Sequence, residues 1–256
     1  MPIHPTAVIA SRARLPENVE IGPYCVVGPD VTLGEGCVLM NHASLQGPAT
    51  FGKNNLFHPF CSIGGKTQDL KYKGEPTCLE VGDNNEFREF TSVNRGTNPD
   101  EKTVIGSDNL FLTYSHVAHD CVVGNHCILS NNGTLGGHVT LADYAIVSGL
   151  GAVHQFCRIG LHALVGGCTK IVQDVPPYFI ADGNPAAVRA VNEVGLKRRG
   201  FSEEQIKVLR KALRILYNLK FNTSQALAAL EEEFGQHNEV QVLIQFARES
   251  SRGIIR

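Results

Sequence analysis

The sequence predicts a parallel β-helix followed by a small helical domain, on two observations. The first is a six-residue period, in which a large apolar residue recurs at every sixth position and a smaller residue lies two positions before it. This repeat runs without a slip from Thr103 to Asp174, and a hexapeptide period is typical of parallel β-helices. The second is a change to helical spacing after Val175-Pro176-Pro177.

Each repeat predicts one short strand and one corner of a triangular prism. Three repeats complete a coil, so residues about 18 positions apart lie above one another, in strands about 4.8 Å apart. The large positions of the uninterrupted stretch should point inward: Ile105, Phe111, Val117, Val123, Leu129, Leu135, Leu141, Val147, Val153, Ile159, Val165 and Ile171. Sequence spacing therefore translates into distance in the fold.

Two segments interrupt the repeat within a β-helix that we expect over residues 1–177. Residues 65–78 and 96–102 are both rich in Gly, Pro and charge. Insertions into repeat proteins become surface loops, which often bind ligands and are otherwise simply tolerated. We favour a functional role for the first loop, because it mixes amide, acidic, basic and aromatic side chains. These are Gln68, Asp69, Lys71 and Tyr72.

Residues 178–256 predict a helical domain, which can cover the open end of the β-helix. Asn184-Pro185 resembles a helix N-cap followed by Pro at the first helical position. Ser202 and Gln205 form the pattern of a capping box. Apolar residues then recur at helical spacing: Ile206, Leu209, Leu213, Leu216 and Leu219. Two further helical stretches follow, near residues 224–234 and 239–250.

The composition gives no argument for a nucleic-acid partner or for stable membrane insertion. The 23 basic and 25 acidic residues nearly balance, and no apolar stretch approaches the roughly 20 residues of a membrane span. No signal peptide is visible, so we expect a cytoplasmic protein. Six cysteines occupy the small interior position, where a thiol packs as a small hydrophobe rather than forming a disulfide or zinc site. They are Cys25, Cys37, Cys61, Cys121, Cys127 and Cys157.

The candidate site follows from the coil length. His119, Gly137 and Gln155 lie 18 positions apart and should stack along one edge of the prism. Other polar side chains should lie close by: Asp120, His138, His154 and His116. A neutral imidazole can take a proton from a hydroxyl that attacks a carbonyl. A neighbouring carboxylate would orient the ring, and a glycine N–H could stabilise the oxyanion.

The pattern predicts direct transfer between two bound substrates. No nucleophile motif is present, and the cysteines near the site should point inward. For Gly137 alone, the simpler interpretation is that a glycine relieves crowding at a corner.

A family resemblance covers essentially the whole chain. The segments that carry it are 68–72 (QDLKY), 116–121 (HVAHDC), 131–139 (NNGTLGGHV), 152–157 (AVHQFC), 173–178 (QDVPPY), 192–202 (NEVGLKRRGFS) and 251–256 (SRGIIR). Together they resemble the acyl carrier protein–UDP-N-acetylglucosamine O-acyltransferases of lipid A biosynthesis. The resemblance implies a left-handed β-helix and a homotrimer, with each site between neighbouring subunits.

The resemblance also implies a reaction and a set of site residues. An (R)-3-hydroxyacyl chain would pass from acyl carrier protein to the glucosamine 3-hydroxyl of UDP-N-acetylglucosamine, with no metal and no cofactor besides the carrier's phosphopantetheine thioester. His119 matches the general base, Asp120 its orienting partner and Gly137 the oxyanion donor. Seven residues match positions that contact substrate in the family: Gln68, Asp69, Lys71, His116, His138, His154 and Gln155. Three more match positions near the nucleotide or the phosphopantetheine: Asn192, Arg198 and Arg199.

Two positions depart from the family pattern. Asn94 stands where the family commonly has His, and Val194 stands where it has an acidic residue, although Glu193 is adjacent. Both concern nucleotide-sugar recognition, so the acceptor stays open between N-acetylglucosamine and a 3-amino analogue, which would give an amide. Gly167 matches a position where relatives carry Gly or a bulkier residue, so we expect a long acyl chain rather than a ten-carbon one.

A cluster of basic residues in the helical domain predicts a docking surface for an acidic carrier protein, although such runs often form a solvated face. The cluster consists of Lys197, Arg198, Arg199, Lys207, Arg210, Lys211 and Arg214.

Three alternatives fit the sequence less well. The N-acyltransferases of the same pathway add an N-terminal uridine-binding domain, for which we see no room before Ala7. A zinc carbonic anhydrase of this fold needs three converging histidines, and His116 and His119 are too close in the register. A purely structural solenoid would show a regular array of Thr on one face.

Overall fold

The computed structural model, which describes residues 3–255, winds three sheets of short parallel strands into a prism. In chain order the strands are β1 Val8–Ile9, β2 Glu20–Ile21, β3 Val26–Val27, β4 Val31–Thr32, β5 Val38–Leu39, β6 Ser44–Leu45, β7 Ala49–Phe51, β8 Leu56–Phe57, β9 Ser62–Gly65, β10 Cys78–Val81, β11 Glu86–Phe87, β12 Ser92–Asn94, β13 Lys102–Ile105, β14 Leu110–Phe111, β15 His116–Val117, β16 Val122–Val123, β17 Ile128–Leu129, β18 Thr134–Leu135, β19 Thr140–Leu141, β20 Ile146–Val147, β21 Ala152–Val153, β22 Arg158–Ile159, β23 Leu164–Val165, β24 Lys170–Ile171, β25 Phe179–Gly183 and β26 Ala186–Val191.

Strands that follow one another along the chain lie in different sheets. Sheet I has the order β1-β3-β6-β9-β12-β15-β18-β21-β24, sheet II β4-β7-β10-β13-β16-β19-β22, and sheet III β2-β5-β8-β11-β14-β17-β20-β23-β25-β26. Each strand pairs with the strand one coil further on, as when Val104 pairs with Val122 and Val122 with Thr140. The coil therefore has the predicted length of 18 residues.

The prism has three edges, which we name after the sheets that meet there. The I–II edge includes residues 118–121, 136–139 and 154–157; the II–III edge 124–127, 142–145 and 160–163; and the III–I edge 130–133, 148–151 and 166–169. At the I–II edge Asp120, His138 and Phe156 turn the corners with φ of 60°, 59° and 65°. Such left-handed conformations are uncommon outside glycine, and here they recur with the repeat.

Side chains of successive coils stack inside the prism. The Phe57 and Phe87 rings are 5.3 Å apart and nearly parallel, and Phe111 continues the stack at 4.9 Å. A ladder of buried amides runs beside them, in which the Asn85 side chain donates to Asn55 Oδ1 and accepts from the Asn109 backbone N–H, both at 3.0 Å. The ladder satisfies polar groups that would otherwise be costly to bury.

Both segments that interrupt the repeat form loops at the I–II edge. Residues 66–77 connect β9 to β10, and residues 95–101 connect β12 to β13. Leu79 pairs with Ala49, 30 positions earlier, and Lys102 pairs with Cys78, 24 positions earlier. The stack therefore continues past each loop, and both loops lie on the edge that carries His119.

The segment after the last coil differs from the prediction. Asn184-Pro185 does not begin a helix; it forms the turn between β25 and β26, with a cis peptide bond. Strand β25 pairs with β23 at the end of sheet III, so Phe179 and Ala181 are buried. The open strand edge offers backbone partners, and this tertiary pairing outweighs the local N-cap pattern.

Four helices follow the hairpin: α1 Glu193–Arg198, α2 Glu203–Leu216, α3 Thr223–Phe234 and α4 Asn238–Glu249. The capping box of Ser202 and Gln205 is confirmed. Leu219 was wrongly placed in α2, since it lies beyond the end of that helix and is 99% exposed. Ile255 packs into the core of the prism, so the C-terminal segment covers the end of the β-helix.

Among residues 3–255, no helix combines the length and the apolar character that a bilayer crossing demands.

Candidate active site at the I–II edge

His119 and Asp120 form a largely buried pair at a corner of the I–II edge. His119 Nδ1 lies 2.7 Å from Asp120 Oδ2, and the two side chains are only 12% and 5% exposed. A carboxylate accepts and does not donate, so the proton of the neutral imidazole lies on Nδ1. His119 Nε2 is then left with a free lone pair, which is the requirement for a general base.

Threonines from the second loop and its end hold this pair. The Thr97 backbone N–H donates to Asp120 Oδ1 at 2.9 Å, and Thr97 Oγ1 lies 3.0 Å from His119 Nδ1. The Asp120 backbone N–H donates to Thr103 Oγ1 at 2.8 Å. Sequence reasoning missed Thr97 and Thr103, and the available signal was only that residues 96–102 interrupt the repeat beside a histidine-rich coil.

Gly137 lies directly above His119, as the 18-residue spacing predicts. A Cβ at this position would lie 2.5 Å from His119 Cε1 and 2.7 Å from Nε2. Only glycine therefore leaves room for the ring. Within the described part of the chain the buried Gly137 N–H has no hydrogen-bond partner, and such an N–H can stabilise an oxyanion.

Two further histidines lie next to the pair. The His138 and His119 rings are in edge contact at 5.3 Å, and His138 Nε2 is 3.6 Å from Asp120 Oδ2. His116 Nδ1 is 2.7 Å from Ser92 Oγ. Burial, with a smaller effect from His119, holds the pKa of His116 below its usual value. His116 is therefore neutral at physiological pH and can accept or donate one hydrogen bond.

The cysteine closest in sequence to the pair is not a nucleophile. Cys121 follows Asp120, but its thiol points into the prism and donates to the Gly136 carbonyl at 3.1 Å. Burial raises the pKa of this thiol to about 12. The thiolate is the reactive form of cysteine, so Cys121 is inert at neutral pH.

Predicted contacts of the first loop lie on the same edge. Thr67 Oγ1 is 2.8 Å from Thr97 Oγ1, which links the loop to the His119 pair. Asp69 accepts from the Lys71 backbone N–H at 2.8 Å, while Gln68 is exposed. His154 and Gln155 are exposed at the corner one coil above Gly137.

The divergent Asn94 is buried at the base of the first loop. Its side chain is 7% exposed, and Nδ2 donates to the Lys66 carbonyl at 3.0 Å. Its Oδ1 has no partner among the described residues. Val194, the other divergent position, is exposed in α1.

Four predicted site residues lie on other edges of the same chain. Arg199, which follows α1, stacks over Tyr144 of the II–III edge at 4.7 Å, and Arg198 is exposed at the end of α1. Asn192 is buried there, where it caps α1 and donates to the His162 carbonyl at 3.0 Å. Gly167 is exposed on the III–I edge, and a Cβ there would contact only the Gly149 carbonyl, at 3.5 Å. One chain does not bring these residues to His119.

Ion pairs neutralise part of the basic surface of the helical domain. Arg210 forms two 2.6 Å hydrogen bonds to Glu193, and Lys197 pairs with Glu203 at 2.6 Å. Arg214 has no acidic partner within residues 3–255. The free positive charge is therefore smaller than the sequence indicates.

Three side chains at the site have the spacing of a metal centre. The nearest ligand atoms of His119, Asp120 and His138 all lie within 4.8 Å of one another. This set differs from His116 and His119, the two histidines whose spacing in the sequence disfavours a zinc site. The short His119–Asp120 hydrogen bond uses Nδ1, however, and metal binding through that atom would displace the proton that leaves Nε2 free.

Comparisons with known proteins agree with this architecture. A family model described as UDP N-acetylglucosamine O-acyltransferase, domain 2, matches residues 174–255, and a bacterial transferase hexapeptide model matches residues 12–47 and 102–137. The structure of LpxA from Acinetobacter baumannii is 43% identical, with all of both chains covered and a TM-score of 0.96. The chain belongs to the UDP-N-acetylglucosamine O-acyltransferase family.

Other members of this family are similarly close. LpxA from Bacteroides fragilis, a UDP-N-acetylglucosamine acyltransferase, is 41% identical, with 99% of this chain and 100% of that chain covered and a TM-score of 0.96. The Arabidopsis UDP-N-acetylglucosamine acyltransferase is 36% identical, over 99% and 100% of the chains, with a TM-score of 0.89. The predicted family, acyltransferase class and left-handed β-helix with a C-terminal helical domain are thereby confirmed.

Proposed function

We propose that this acyltransferase moves an (R)-3-hydroxyacyl chain from acyl carrier protein to the glucosamine 3-hydroxyl of UDP-N-acetylglucosamine, the first step of lipid A biosynthesis. The observation that carries the mechanism is the closeness of the His119 ring to Gly137, because it places the base beside a residue whose backbone N–H has no partner among the described residues. The donor is the phosphopantetheine thioester of the carrier, and the enzyme adds no cofactor or metal of its own.

His119 Nε2 takes the proton of the 3-hydroxyl as that oxygen attacks the thioester carbonyl. Asp120 keeps the Nδ1 proton in place and stabilises the imidazolium that forms. The Gly137 N–H stabilises the oxyanion of the tetrahedral intermediate. When the intermediate collapses, the carbon–sulfur bond breaks, and the imidazolium returns its proton to the departing thiolate. The inert Cys121 supports this direct route over a covalent acyl-enzyme.

The remaining matched residues hold the two substrates. Gln68, Asp69 and Lys71 hold the sugar from the first loop, and His116, His138, His154 and Gln155 contact substrate from the coils around Gly137. Asn94 and the region of Val194 contribute to nucleotide-sugar recognition. Arg198 and Arg199 bind phosphates of the nucleotide or the phosphopantetheine. For Asn192 we propose an indirect role, since its amide caps the N-terminus of α1, and Arg198 and Arg199 lie at the other end of that helix.

The enzyme works as a homotrimer with each site between neighbouring subunits. Support comes from the matched residues that lie on edges remote from His119 in one chain. Support also comes from half-exposed aromatic rings that stack along the III–I edge, since exposed apolar surface of this kind marks interfaces. They are Tyr24, His42, Phe60, Phe90 and Tyr114. Eight free cysteines suit a reducing cytoplasm, which is the compartment that we propose.

The acyl chain is long. Gly167 leaves open space around its α-carbon, where only the Gly149 carbonyl would contact an added Cβ. A bulkier residue at this position would shorten the space that we propose for the acyl chain. We therefore expect Gly167→Met to shift the preferred donor toward shorter chains.

A product assay by mass spectrometry tests the proposal. The enzyme is offered UDP-N-acetylglucosamine or its 3-amino analogue, each with acyl carrier protein loaded with chains of different length. We expect an ester product, which His119→Ala abolishes without dissociating the trimer. Exclusive acylation of the amino analogue would move the function to amide formation. Stoichiometric zinc after dialysis, with loss of activity on its removal, would favour a metal mechanism at His119, Asp120 and His138 instead.

A further inference from the structure

We propose that Thr97 is a positioning residue, whose hydroxyl joins the first loop to the catalytic base and holds the His119 ring in its reactive orientation. The inference rests on the proposed role of His119. It concerns residues outside the repeat, since Thr97 belongs to the second loop and its partner Thr67 belongs to the first loop. Both side chains are buried, at 3% exposure each, although both belong to surface loops.

The contacts of Thr97 all converge on the reacting pair. Its backbone N–H donates to Asp120 Oδ1 at 2.9 Å, its Oγ1 is 3.0 Å from His119 Nδ1, and its Oγ1 is 2.8 Å from Thr67 Oγ1. Thr97 therefore contacts both members of the pair, and Asp120 and Thr97 lie on the same side of the imidazole. The opposite side of the ring, at Nε2, adjoins Gly137.

The directions of these hydrogen bonds follow from the donors available. His119 Nδ1 carries a proton because Asp120 Oδ2 only accepts. Thr97 Oγ1 must then present a lone pair to the same N–H, as a second acceptor beside the carboxylate. One of the two threonine hydroxyls donates to the other, and Thr67 Oγ1 also accepts from the Asp69 backbone N–H at 3.1 Å. The Thr97 hydroxyl is thus oriented from the first loop.

This arrangement gives the two loops a function that the coils cannot supply. In the other tautomer Nδ1 would present a lone pair to the carboxylate, and that contact would be lost, whereas the Thr97 hydroxyl can turn and donate to Nδ1. Asp120 therefore selects the tautomer, and the Thr97 hydroxyl, which keeps its contact with Nδ1, opposes rotation of the ring. Asp69, which we propose to hold the sugar, lies two residues from Thr67. Placement of the acceptor and of the base is consequently connected through one pair of hydroxyls.

The test compares Thr97→Val with Thr97→Ser in the intact trimer. Valine keeps the shape and the backbone N–H but removes the hydroxyl, whereas serine keeps the hydroxyl. We expect kcat to fall about ten-fold in the valine variant, as for loss of a hydrogen bond to a group that becomes charged, with the KM of both substrates little changed. The serine variant should stay within about three-fold of wild type. Thr67→Val should give a smaller loss, because Thr97 then keeps its place but not its orientation.

Thr91→Val is the matched control for loss of a buried threonine hydroxyl. Thr91 is fully buried inside the prism, where its hydroxyl contacts Ser115 Oγ at 3.2 Å, away from the I–II edge. This variant should lower thermal stability without changing kcat. A spectroscopic readout separates positioning from general weakening: the downfield proton signal of His119 Nδ1–H, assigned by its loss in His119→Gln, should be displaced in Thr97→Val and kept in Thr97→Ser and Thr91→Val.

Two outcomes would overturn the inference. One is a Thr97→Val enzyme with wild-type kcat and an unmoved Nδ1–H signal. The other is a rise in KM alone, which would make Thr97 a binding residue of the loops. Failure of the proposed function is distinguishable from both, because it would appear as retained turnover in His119→Ala whatever the Thr97 variants do.

Discussion

Replacing Gly137 by alanine is the most direct test of the site geometry. The added Cβ would lie 2.5 Å from His119 Cε1 and 2.7 Å from Nε2, whereas carbon atoms in contact lie about 3.5–4.0 Å apart. The ring must therefore retreat by about 1 Å. The backbone N–H survives in alanine, so the substitution displaces the base and leaves the oxyanion donor in place.

The expected result is a loss of roughly 100-fold in kcat/KM, the penalty for a misplacement of about 1 Å. The assay is acyl transfer from acyl carrier protein to UDP-N-acetylglucosamine at saturating and limiting concentrations of each. Thermal unfolding is measured in parallel, because overpacking a filled site costs about 1–3 kcal/mol. A change in stability without a change in rate would mean that His119 moves freely and that the proposed contact is not catalytic.

Gly149→Ala is the matched control. Gly149 occupies the same position of the repeat on the III–I edge, where it precedes the left-handed Leu150 as Gly137 precedes His138. A Cβ at Gly149 would meet only the Asn131 carbonyl, at an ordinary 3.6 Å. We expect this variant to keep kcat within about three-fold of wild type, although its preference for acyl-chain length can change, because Gly149 adjoins Gly167. If Gly137→Ala also stays within about three-fold of wild type, the reasoning from the contact is refuted.

Three other predictions concern stability and carrier docking. Burial, with a smaller effect from Arg199, lowers the pKa of His162 to about 4. An unfolded histidine binds its proton near pH 6.5, so the full free energy of unfolding is present above that pH. It falls as the pH drops toward 4, by about 2 kcal/mol at pH 5, because the unfolded chain takes up a proton that folded His162 does not. His162→Phe should therefore reduce the fall in melting temperature between pH 7 and pH 5, and an unchanged fall would contradict the assignment. Asn85→Ala should lower the free energy of unfolding by about 3 kcal/mol, measured by urea denaturation, because it leaves buried partners in Asn55 and Asn109 unsatisfied. Arg214→Ala should raise the KM for acyl carrier protein at low salt more than at high salt, and an equal effect at both would count against electrostatic steering.

The repeat made the central part of the site predictable. His119 and Gly137 are 18 residues apart, which is the length of one coil, so stacking of the coils places one above the other. The buried cysteines follow the same logic, because Cys121 and Cys127 occupy the small interior position that the period assigns to them. Here the spacing alone determines the environment of each residue.

Prediction was weaker where the chain leaves the repeat. Thr97 belongs to a loop without periodicity, and only its folded contacts reveal that it touches both His119 and Asp120. Asn184-Pro185 has the local pattern of a helix start, yet the segment forms the β25–β26 hairpin, in which β25 pairs with β23 of sheet III. In both cases contacts with residues distant in sequence decide the outcome, and local patterns do not contain them.

The basic surface shows the same division. The sequence predicts a cluster of seven cations between Lys197 and Arg214, but folding brings Glu193 against Arg210 and leaves Arg214 without an acidic neighbour among the described residues. Which cations stay free to attract a carrier protein depends on how the helices pack. Composition could not distinguish them.

The sequence was enough to establish the β-helix, the length of its coil and the position of the His119 imidazole below Gly137, since a period of six assigns each side chain to one position of the coil. Tertiary structure alone determined which hydroxyls hold that imidazole. Those of Thr67 and Thr97 come from two loops without periodicity, which meet only when the coils have stacked.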